Sequence, residues 1–298
     1  MFSLLALPLL AVAAAVPVSR QDSGGVKELW LFNDIRVSDA NAIKTAGYDT
    51  VIMFQLGIFA NASLAYYGDE KGQNDNPVLL VDGGVYVEDI GLADIVTGYK
   101  TGTTTIDRTE ITIVSGNVFW QRIQAMVEAN GTGPDTALYQ NFAALKTAWN
   151  LDAINDDDEE NYDVSSTVAF AQMLGQIGYK FTTAPYTNTF FWAQVGQGIN
   201  DANLYDRSYL QCYDGGEGND PGLWAFEVGM PQVPLLWVTN TDKPQDGNTP
   251  AQVQSQMQQW KDTYGSNIAG GGLWNDYDIY YNNNSYQTYA QALEAVFG

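Results

Sequence analysis

Eight apolar runs of strand length recur along the chain, and helical segments separate most of them. Several runs are nearly continuous in apolar residues, as expected when both faces of a strand are covered. We place the strands at 28–32, 49–56, 110–116, 151–157, 179–185, 209–214, 233–238 and 268–274. We place helices at 39–47, 119–128, 135–149, 165–177, 250–264 and 286–297. This alternation predicts an α/β fold, a single (β/α)₈ or TIM barrel of parallel strands.

One segment departs from the alternation. Residues 76–88 contain two β-rich arms around Asp82, Gly83 and Gly84, which is typical of a β-hairpin. We predict that this hairpin is inserted after the second strand. The chain shows no linker-like stretch and no period of repeat-protein length, so we assign residues 19–298 to one barrel domain.

The amino terminus has the composition of an export signal. Residues 2–15 form an apolar run that ends in small residues and is too short to span a membrane comfortably. We therefore expect a signal peptide at residues 1–18 and a secreted protein. Three Asn-x-Ser/Thr sequences, at Asn61, Asn130 and Asn283, agree with this expectation as candidate glycosylation sites.

Composition excludes several classes of chemistry. The chain has no histidine, which rules out a Ser-His-Asp triad, a Cys-His pair and any His-ligated metal site. Proton transfer must therefore rely on carboxylates and tyrosines. The net charge of -22 disfavours nucleic acid and anionic membranes as partners. The single cysteine, Cys212, permits no intrachain disulfide, and we expect it to be a buried strand residue. We also expect a monomer without a metal or other cofactor.

Polar and aromatic residues follow the predicted strands. In a parallel barrel, the carboxyl ends of the strands share one face, where sites are built. The candidates at these ends are Gln55, Ser115, Asp157, Glu159, Tyr186, Gln211, Tyr213, Asp214, Asn240 and Trp274. Alternate residues of a strand share a face, so Asp157 and Glu159 point the same way, with Asn155 behind them. A solvated acidic loop is the alternative, which the position at the end of the fourth strand disfavours.

Residues 152–159 read Asp-Ala-Ile-Asn-Asp-Asp-Asp-Glu. This run resembles the Asp-x-x-Asp-x-Asp-x-Glu motif of family 18 glycoside hydrolases, the chitinases and endo-β-N-acetylglucosaminidases. Asp152, Asp157 and Glu159 match in register, whereas Asn155 stands at the second Asp. The segments 183–185, 210–214 and 271–274 resemble the family's fifth, sixth and eighth strand endings. The resemblance covers residues 28–298 and implies the same barrel.

The resemblance implies a role for four residues. Glu159 is the general acid that protonates the leaving oxygen, with its pKa raised by Asp157. Asp157 orients the acetamido nitrogen of the substrate, whose own carbonyl is the nucleophile of a retaining reaction. Tyr213 donates its hydroxyl to the acetamido oxygen, and Trp274 forms the floor under the sugar. The substrate class implied is a glycan that contains N-acetylglucosamine, either chitin or the diacetylchitobiose core of N-glycans.

One departure leaves a second function open. Asn155 cannot share a proton with Asp157, so we expect it to lower or retune activity, although it could still hold Asp157 by a donated hydrogen bond. The alternative function is a saccharide-binding lectin or inhibitor on the same barrel. We expect Trp30, Trp237 and Trp260 to lie in the core or on the surface rather than in the site.

Overall fold

The computed structural model describes residues 24–68 and 77–298. The predicted signal peptide lies outside these residues, as does Asn76 of the predicted hairpin. The described strands are β1 (Val26–Leu31), β2 (Thr50–Ile58), β3 (Leu64–Tyr66), β4 (Val78–Asp82), β5 (Val85–Tyr86), β6 (Arg108–Ile113), β7 (Ala153–Asp156), β8 (Lys180–Thr183), β9 (Tyr205–Gln211), β10 (Val233–Trp237) and β11 (Gly270–Trp274).

Eight of these strands close into a parallel barrel. The order is β1, β2, β6, β7, β8, β9, β10 and β11, and β11 pairs with β1 to complete the ring. Every pairing between neighbours in the ring is parallel. The predicted (β/α)₈ barrel is therefore confirmed, and each predicted strand overlaps a barrel strand.

Helices pack around the barrel. They are α1 (Ala40–Ala46), α2 (Leu92–Gly98), α3 (Asn117–Asn130), α4 (Ala137–Trp149), α5 (Val164–Ile177), α6 (Thr189–Ile199), α7 (Pro221–Val228), α8 (Pro250–Tyr264), α9 (Asp276–Tyr281) and α10 (Tyr286–Phe297). Within the described parts of the chain, no helix is long and apolar enough to cross a membrane.

Helix ends follow capping chemistry closely. At α8, Thr249 and Gln252 form a reciprocal capping box and Pro250 opens the helix, so both ends match the prediction. The start of α5 lies one residue before the predicted Ser165, at the residue after its cap. Asp163, rather than Ser165 or Ser166, caps this helix, because its carboxylate accepts a hydrogen bond from the backbone N–H of Ser166 at 2.8 Å.

The insertion after β2 is confirmed and is larger than the predicted hairpin. Strand β3 pairs antiparallel with β2, β4 with β3, and β5 with β4, so the insertion extends the sheet outward. Gly83 and Gly84 form the turn with positive φ, as the Asp-Gly-Gly sequence predicts. The Asn141 side chain of α4 fastens this unit, since it accepts from the N–H of Gly84 at 2.6 Å and donates to the carbonyl of Ala62 at 2.7 Å.

The barrel interior below the carboxyl ends is polar. The buried Glu110 carboxylate accepts hydrogen bonds from Arg108 at 2.6 Å, from the Tyr209 hydroxyl at 2.7 Å and from the Thr182 hydroxyl at 2.6 Å. Glu28 is also fully buried, and burial raises the pKa of its carboxyl well above the usual range. Asn155 sits on top of this network, which therefore supports the site from beneath.

Candidate active site

The acidic segment after β7 folds back on itself. Asp156 accepts a hydrogen bond from the backbone N–H of Asp158 at 2.9 Å. Asp158 in turn accepts from the backbone N–H groups of Glu160, Asn161 and Tyr162 at 3.0, 2.8 and 2.7 Å. These two carboxylates shape the turn, and the alternate side chains Asp157 and Glu159 are left to face the barrel mouth.

A cavity of about 500 Å³ opens at the carboxyl ends of the strands. Its lining combines carboxylates, amides and aromatic rings. The lining residues are Trp30, Phe32, Phe54, Ser115, Asp157, Glu159, Tyr186, Gln211, Tyr213, Asp214, Gly215, Trp237, Asp242, Trp274, Asn275, Tyr277 and Asp278. The volume and the mixture of a polar and an aromatic wall suit a small organic ligand such as a sugar.

Gln211, at the end of β9, positions the carboxylates. Its side-chain amide donates to Asp157 at 3.0 Å and to the backbone carbonyl of Ala184 at 2.8 Å. The anchoring carbonyl fixes the direction of the amide, because both of its N–H groups are then committed. Asp157 is buried and Glu159 is half-buried. The same amide lowers the pKa of both carboxyl groups, against the effect of burial.

Burial raises the pKa of both carboxyl groups. For Glu159, the charges of Glu160 and Asp158 add to the effect of burial, whereas the Gln211 amide opposes it. For Asp157, burial is again the main cause, and the neighbouring Glu159 carboxylate adds to it. The pKa of Glu159 is therefore raised as expected, but by burial and by Glu160 and Asp158. Within the pair, it is the Glu159 charge that raises the pKa of Asp157. The pair keeps a proton to a higher pH than two exposed carboxyl groups would.

Tyr213 lies close enough to both carboxylates to feel their charges. Burial raises the pKa of its hydroxyl well above the usual range, and Asp157, Glu28 and Glu159 add to this effect. The phenol therefore stays protonated and can donate a hydrogen bond to a ligand oxygen. Its ring stacks against Trp274, with 6.3 Å between the ring centroids and 18° between the planes.

Aromatic rings build the opposite wall. The Trp274 ring lies 5.1 Å from Phe32, 5.1 Å from Phe54 and 5.6 Å from Trp30, measured between centroids. These residues lie on or directly after β1, β2 and β11, which are neighbours in the ring of strands. The packed rings hold Trp274 in place and leave part of its surface to the cavity.

Polar contacts fix the outer part of this wall. The buried Asp278 accepts a hydrogen bond from the Trp237 indole N–H at 2.8 Å and another from the Asn275 amide at 3.2 Å. Trp237 packs edge-on against Tyr213 at 5.7 Å. Asp278 therefore sets the orientation of an indole that touches a candidate catalytic side chain.

The structure brings eight of the predicted site residues to one cavity. They are Ser115, Asp157, Glu159, Tyr186, Gln211, Tyr213, Asp214 and Trp274. Asp214 forms an ion pair with Lys243 at the rim, and this pair joins the loops after β9 and β10. These residues come from five strands or the loops that follow them, as the barrel argument predicts.

The remaining predicted residues lie elsewhere. Gln55 is outside the cavity lining, although the neighbouring Phe54 is part of it. Asp152 precedes β7 and so lies at the opposite end of the strand, where it accepts from the Thr109 N–H at 2.8 Å and pairs with Lys100. Asn240 is buried and accepts from the N–H of Lys243 at 2.7 Å, which shapes the loop rather than the cavity.

Asn155 does not hold Asp157. Its amide donates to the Thr182 hydroxyl at 2.9 Å, and its carbonyl accepts from the Thr112 hydroxyl at 2.9 Å. The expected hydrogen bond to Asp157 is thus replaced by the one from Gln211. Asn155 is fully buried between β6 and β8 and matches the donors and acceptors around it.

Most of the aromatic rings around Trp274 were not predicted as site residues. Trp30, expected in the core or on the surface, and Phe32 share one face of β1 and its continuation, and both line the cavity. Trp237 also lines it, contrary to expectation. The alternation of Trp30 and Phe32 could have indicated that both rings face the cavity. An apolar run does not distinguish core residues from cavity residues, however, because the two have the same composition. Within residues 24–68 and 77–298, no group of three or more His, Cys, Asp or Glu side chains is arranged to hold a metal ion.

Comparison with solved structures shows that the fold is that of family 18 chitinases. A GH18 chitinase of Flavobacterium johnsoniae aligns with a TM-score of 0.61 at 12% identity over 91% of this chain and 94% of its own. A class V chitinase from Nicotiana tobaccum aligns with a TM-score of 0.59 at 11% identity over 92% and 100%. A variant GH18 chitinase of Cycas revoluta, in complex with (GlcNAc)4, aligns with a TM-score of 0.57 at 10% identity over 92% and 100%. No family model and no curated protein matches the sequence.

Proposed function

We propose that the chain is a glycoside hydrolase that cleaves the β-1,4 bond next to an N-acetylglucosamine residue. The observation that carries the proposal is the meeting of Asp157, Glu159, Tyr213 and Trp274 around one cavity. These residues come from the ends of three different strands and the loops after them, and they are the four to which the motif resemblance gives a role. The absence of histidine agrees with this chemistry, because the mechanism uses carboxylates and a phenol.

The proposed mechanism gives these groups the roles that the motif resemblance implies. Glu159 donates its proton to the glycosidic oxygen as the bond to the anomeric carbon breaks. The acetamido oxygen of the substrate attacks the anomeric carbon and forms a cyclic intermediate. Asp157 accepts a hydrogen bond from the acetamido N–H and stabilises the developing positive charge, while Tyr213 donates to the acetamido oxygen. Water then opens the intermediate with Glu159 as the base, and the configuration is retained.

The substrate class rests on chemistry and on the neighbours. The Cycas revoluta chitinase has the same fold and is solved with an N-acetylglucosamine oligomer. The cavity of this chain offers an aromatic floor for a sugar ring and a carboxylate with a phenol for an acetamido group. We therefore propose chitin oligomers or the diacetylchitobiose core of N-glycans as substrates.

The decisive experiment is the substitution Glu159→Gln, which keeps size and removes the proton. We expect kcat on chitin oligomers or N-glycoproteins to fall about 10³-fold or more. The melting temperature should be no lower than that of the wild type, because burial destabilises the charged Glu159 carboxyl. Glu227→Gln is the control, because Glu227 is an exposed carboxylate of α7 outside the cavity. A wild-type protein that releases no product from either substrate would overturn the proposed activity.

The replacement of a motif Asp by Asn155 favours a second candidate, a saccharide-binding lectin or inhibitor on the same barrel. This candidate requires affinity for chito-oligosaccharides without turnover, and the affinity would be insensitive to Glu159→Gln. Calorimetric titration beside a product assay separates the two functions.

We also propose that the protein is secreted and carries N-glycans. The support is the apolar amino terminus and the exposure of Asn61, Asn130 and Asn283 on the described surface. The mass of the protein recovered from the culture medium of its natural host tests both points, before and after enzymatic removal of N-glycans.

A further inference from the structure

A line of aromatic rings leaves the cavity and continues onto the surface. The Phe32 ring lies 5.1 Å from Trp274 and 6.1 Å from Tyr277, which also lines the cavity. Tyr277 packs against Tyr281 in a tilted arrangement, with 4.1 Å between the centroids and 32° between the planes, and Tyr281 contacts Tyr280 at 5.2 Å. We call Tyr277, Tyr281 and Tyr280 the tyrosine strip.

The strip is exposed where it leaves the cavity. Tyr281 keeps 51% of its surface accessible and Tyr280 keeps 55%. The two rings therefore remain in water although they belong to a cluster that begins with buried rings. Exposed aromatic rings in contact with one another and with a cavity are typical of a ligand-binding surface.

The strip ends at a second cavity. This cavity has a volume of about 460 Å³ and is lined by Tyr280 together with polar side chains of α1 and of the segment that leads into α10. Asp39, Thr45, Asn284 and Gln287 contribute hydrogen-bonding groups to it. Three tyrosine rings in sequence thus join the candidate active site to a polar cavity.

The short helix that carries the strip is firmly anchored. Asn275 caps α9 by accepting from the backbone N–H of Asp278 at 3.0 Å. Asp276 accepts from the N–H of Asn33 at 2.9 Å and from the Ser38 hydroxyl at 2.7 Å. The Asn282 amide donates to the backbone carbonyl of Thr239 at 3.2 Å. The rings are therefore held in place before any ligand arrives, which reduces the entropy that binding must overcome.

We propose that the tyrosine strip and the second cavity bind further sugar units of the same glycan chain whose reacting unit occupies the active-site cavity. This inference rests on the proposed function and adds that the protein takes extended oligosaccharides. A sugar ring presents C–H groups to an aromatic face and directs its hydroxyls sideways to water or to polar side chains. The tyrosine strip provides aromatic faces for the C–H groups, and the second cavity provides polar side chains for the hydroxyls.

The test measures how binding depends on chain length. Dimers and hexamers of N-acetylglucosamine are titrated by calorimetry into the protein with Glu159→Gln, alone and combined with Tyr281→Ala. We expect Tyr281→Ala to weaken hexamer binding roughly five- to tenfold and to leave dimer binding unchanged. Tyr281→Trp keeps an aromatic face and should restore hexamer binding. Phe226→Ala is the control, since Phe226 is 82% exposed on α7 and outside the strip.

The outcomes separate the strip from the catalytic proposal. Equal loss of affinity for both lengths, or none for either, overturns the strip, while Glu159-dependent cleavage by the wild-type protein still supports the proposed function. Hexamer binding that requires Tyr281 in a protein without turnover supports the strip and overturns the hydrolase. A protein that binds neither oligomer overturns the strip, and the proposed function is then overturned only if N-glycoproteins are not cleaved either.

Discussion

The two walls of the active-site cavity are built on opposite principles. One wall, the carboxylate wall, consists of Asp157, Glu159 and the Gln211 amide that holds Asp157. The other, the aromatic wall, consists of Trp274 and the rings packed around it. Burial raises the pKa of both carboxyl groups, so their charged forms are destabilised in the folded protein. Burial of the aromatic rings, by contrast, stabilises the folded protein.

The carboxylate wall thus serves the proposed chemistry, and the neighbouring aromatic wall stabilises the fold. The carboxylate wall carries charges that the proposed reaction requires but that destabilise the folded protein. The aromatic wall, together with the hydrogen bonds of Gln211 and of the backbone around Asp158, offsets that cost. Substitutions in the two walls should therefore change stability in opposite directions.

After Glu159→Gln, the largest expected effect comes from Asp157→Asn in the carboxylate wall. The change removes the negative charge that faces the acetamido group, and we expect kcat to fall about 10²- to 10³-fold. Stability should change the other way. Folding raises the pKa of Asp157. Its contribution to stability is therefore fully present below the pKa of Asp157 in the unfolded chain, and it is lost as pH rises through the pKa of Asp157 in the folded protein. The asparagine variant should therefore exceed the wild type in melting temperature, and by more at pH 8 than at pH 4.

Kinetic assays and thermal melts over this pH range test the comparison. A variant that loses activity and also melts below the wild type at every pH would show that Asp157 stabilises the fold. The prediction that substitutions in the two walls change stability in opposite directions would then be wrong.

The second effect comes from Trp274→Ala in the aromatic wall. Loss of the ring and its packing should lower the free energy of unfolding by about 3 kcal/mol and raise KM about tenfold or more. Trp260→Ala is a matched control, because Trp260 packs partly buried on α8 and lies outside the cavity lining. It should lower stability without changing KM, as measured by urea unfolding and steady-state kinetics.

The smallest effect concerns Asn155→Asp, which restores the motif residue. The Thr182 hydroxyl donates its proton to Glu110 at 2.6 Å, so the new carboxylate oxygen beside it would have no donor. We expect a loss of about 2 kcal/mol at neutral pH. Burial would raise the pKa of the new carboxyl, so the loss should be small below about pH 4 and grow as pH rises.

Urea unfolding at a series of pH values measures this loss. Asn41→Asp, the same chemical change at an exposed position of α1, should show little effect. Equal stability of the Asn155→Asp variant and the wild type at pH 8 would mean that the barrel interior rearranges to satisfy the carboxylate.

Sequence patterns predicted the elements whose signals are local. The bounds of α8 and α10 match the prediction. A capping box and Pro250 mark the start of α8, and apolar periodicity marks α10. The segments α2, α6, α7, α9 and β3 were not predicted. Most of these elements are short, and tertiary contacts hold some of them, such as the hydrogen bonds of Asp276 at the start of α9. Neighbouring residues in the sequence carry little information about such contacts.

The candidate site likewise contains residues that local sequence patterns predict and residues that they do not. Asp157 and Glu159 could be predicted, because strand alternation and the position at the end of β7 are properties of the chain itself. The partners of Asn155 could not, because Thr112 and Thr182 face it through the register of two other strands. The tyrosine strip was missed as well, since α9 was not recognised as a helix.

By itself, then, the sequence determined the order of the eight barrel strands, the face on which Asp157 and Glu159 point and the absence of histidine chemistry. These follow from the short-range geometry of the backbone and from composition. Closure of the barrel decided the rest. It brought Gln211 to Asp157 across 54 positions of the chain, and it gathered Trp30, Phe32 and Phe54 around Trp274. Such meetings depend on the register and packing of strands far apart in sequence, which no local pattern encodes.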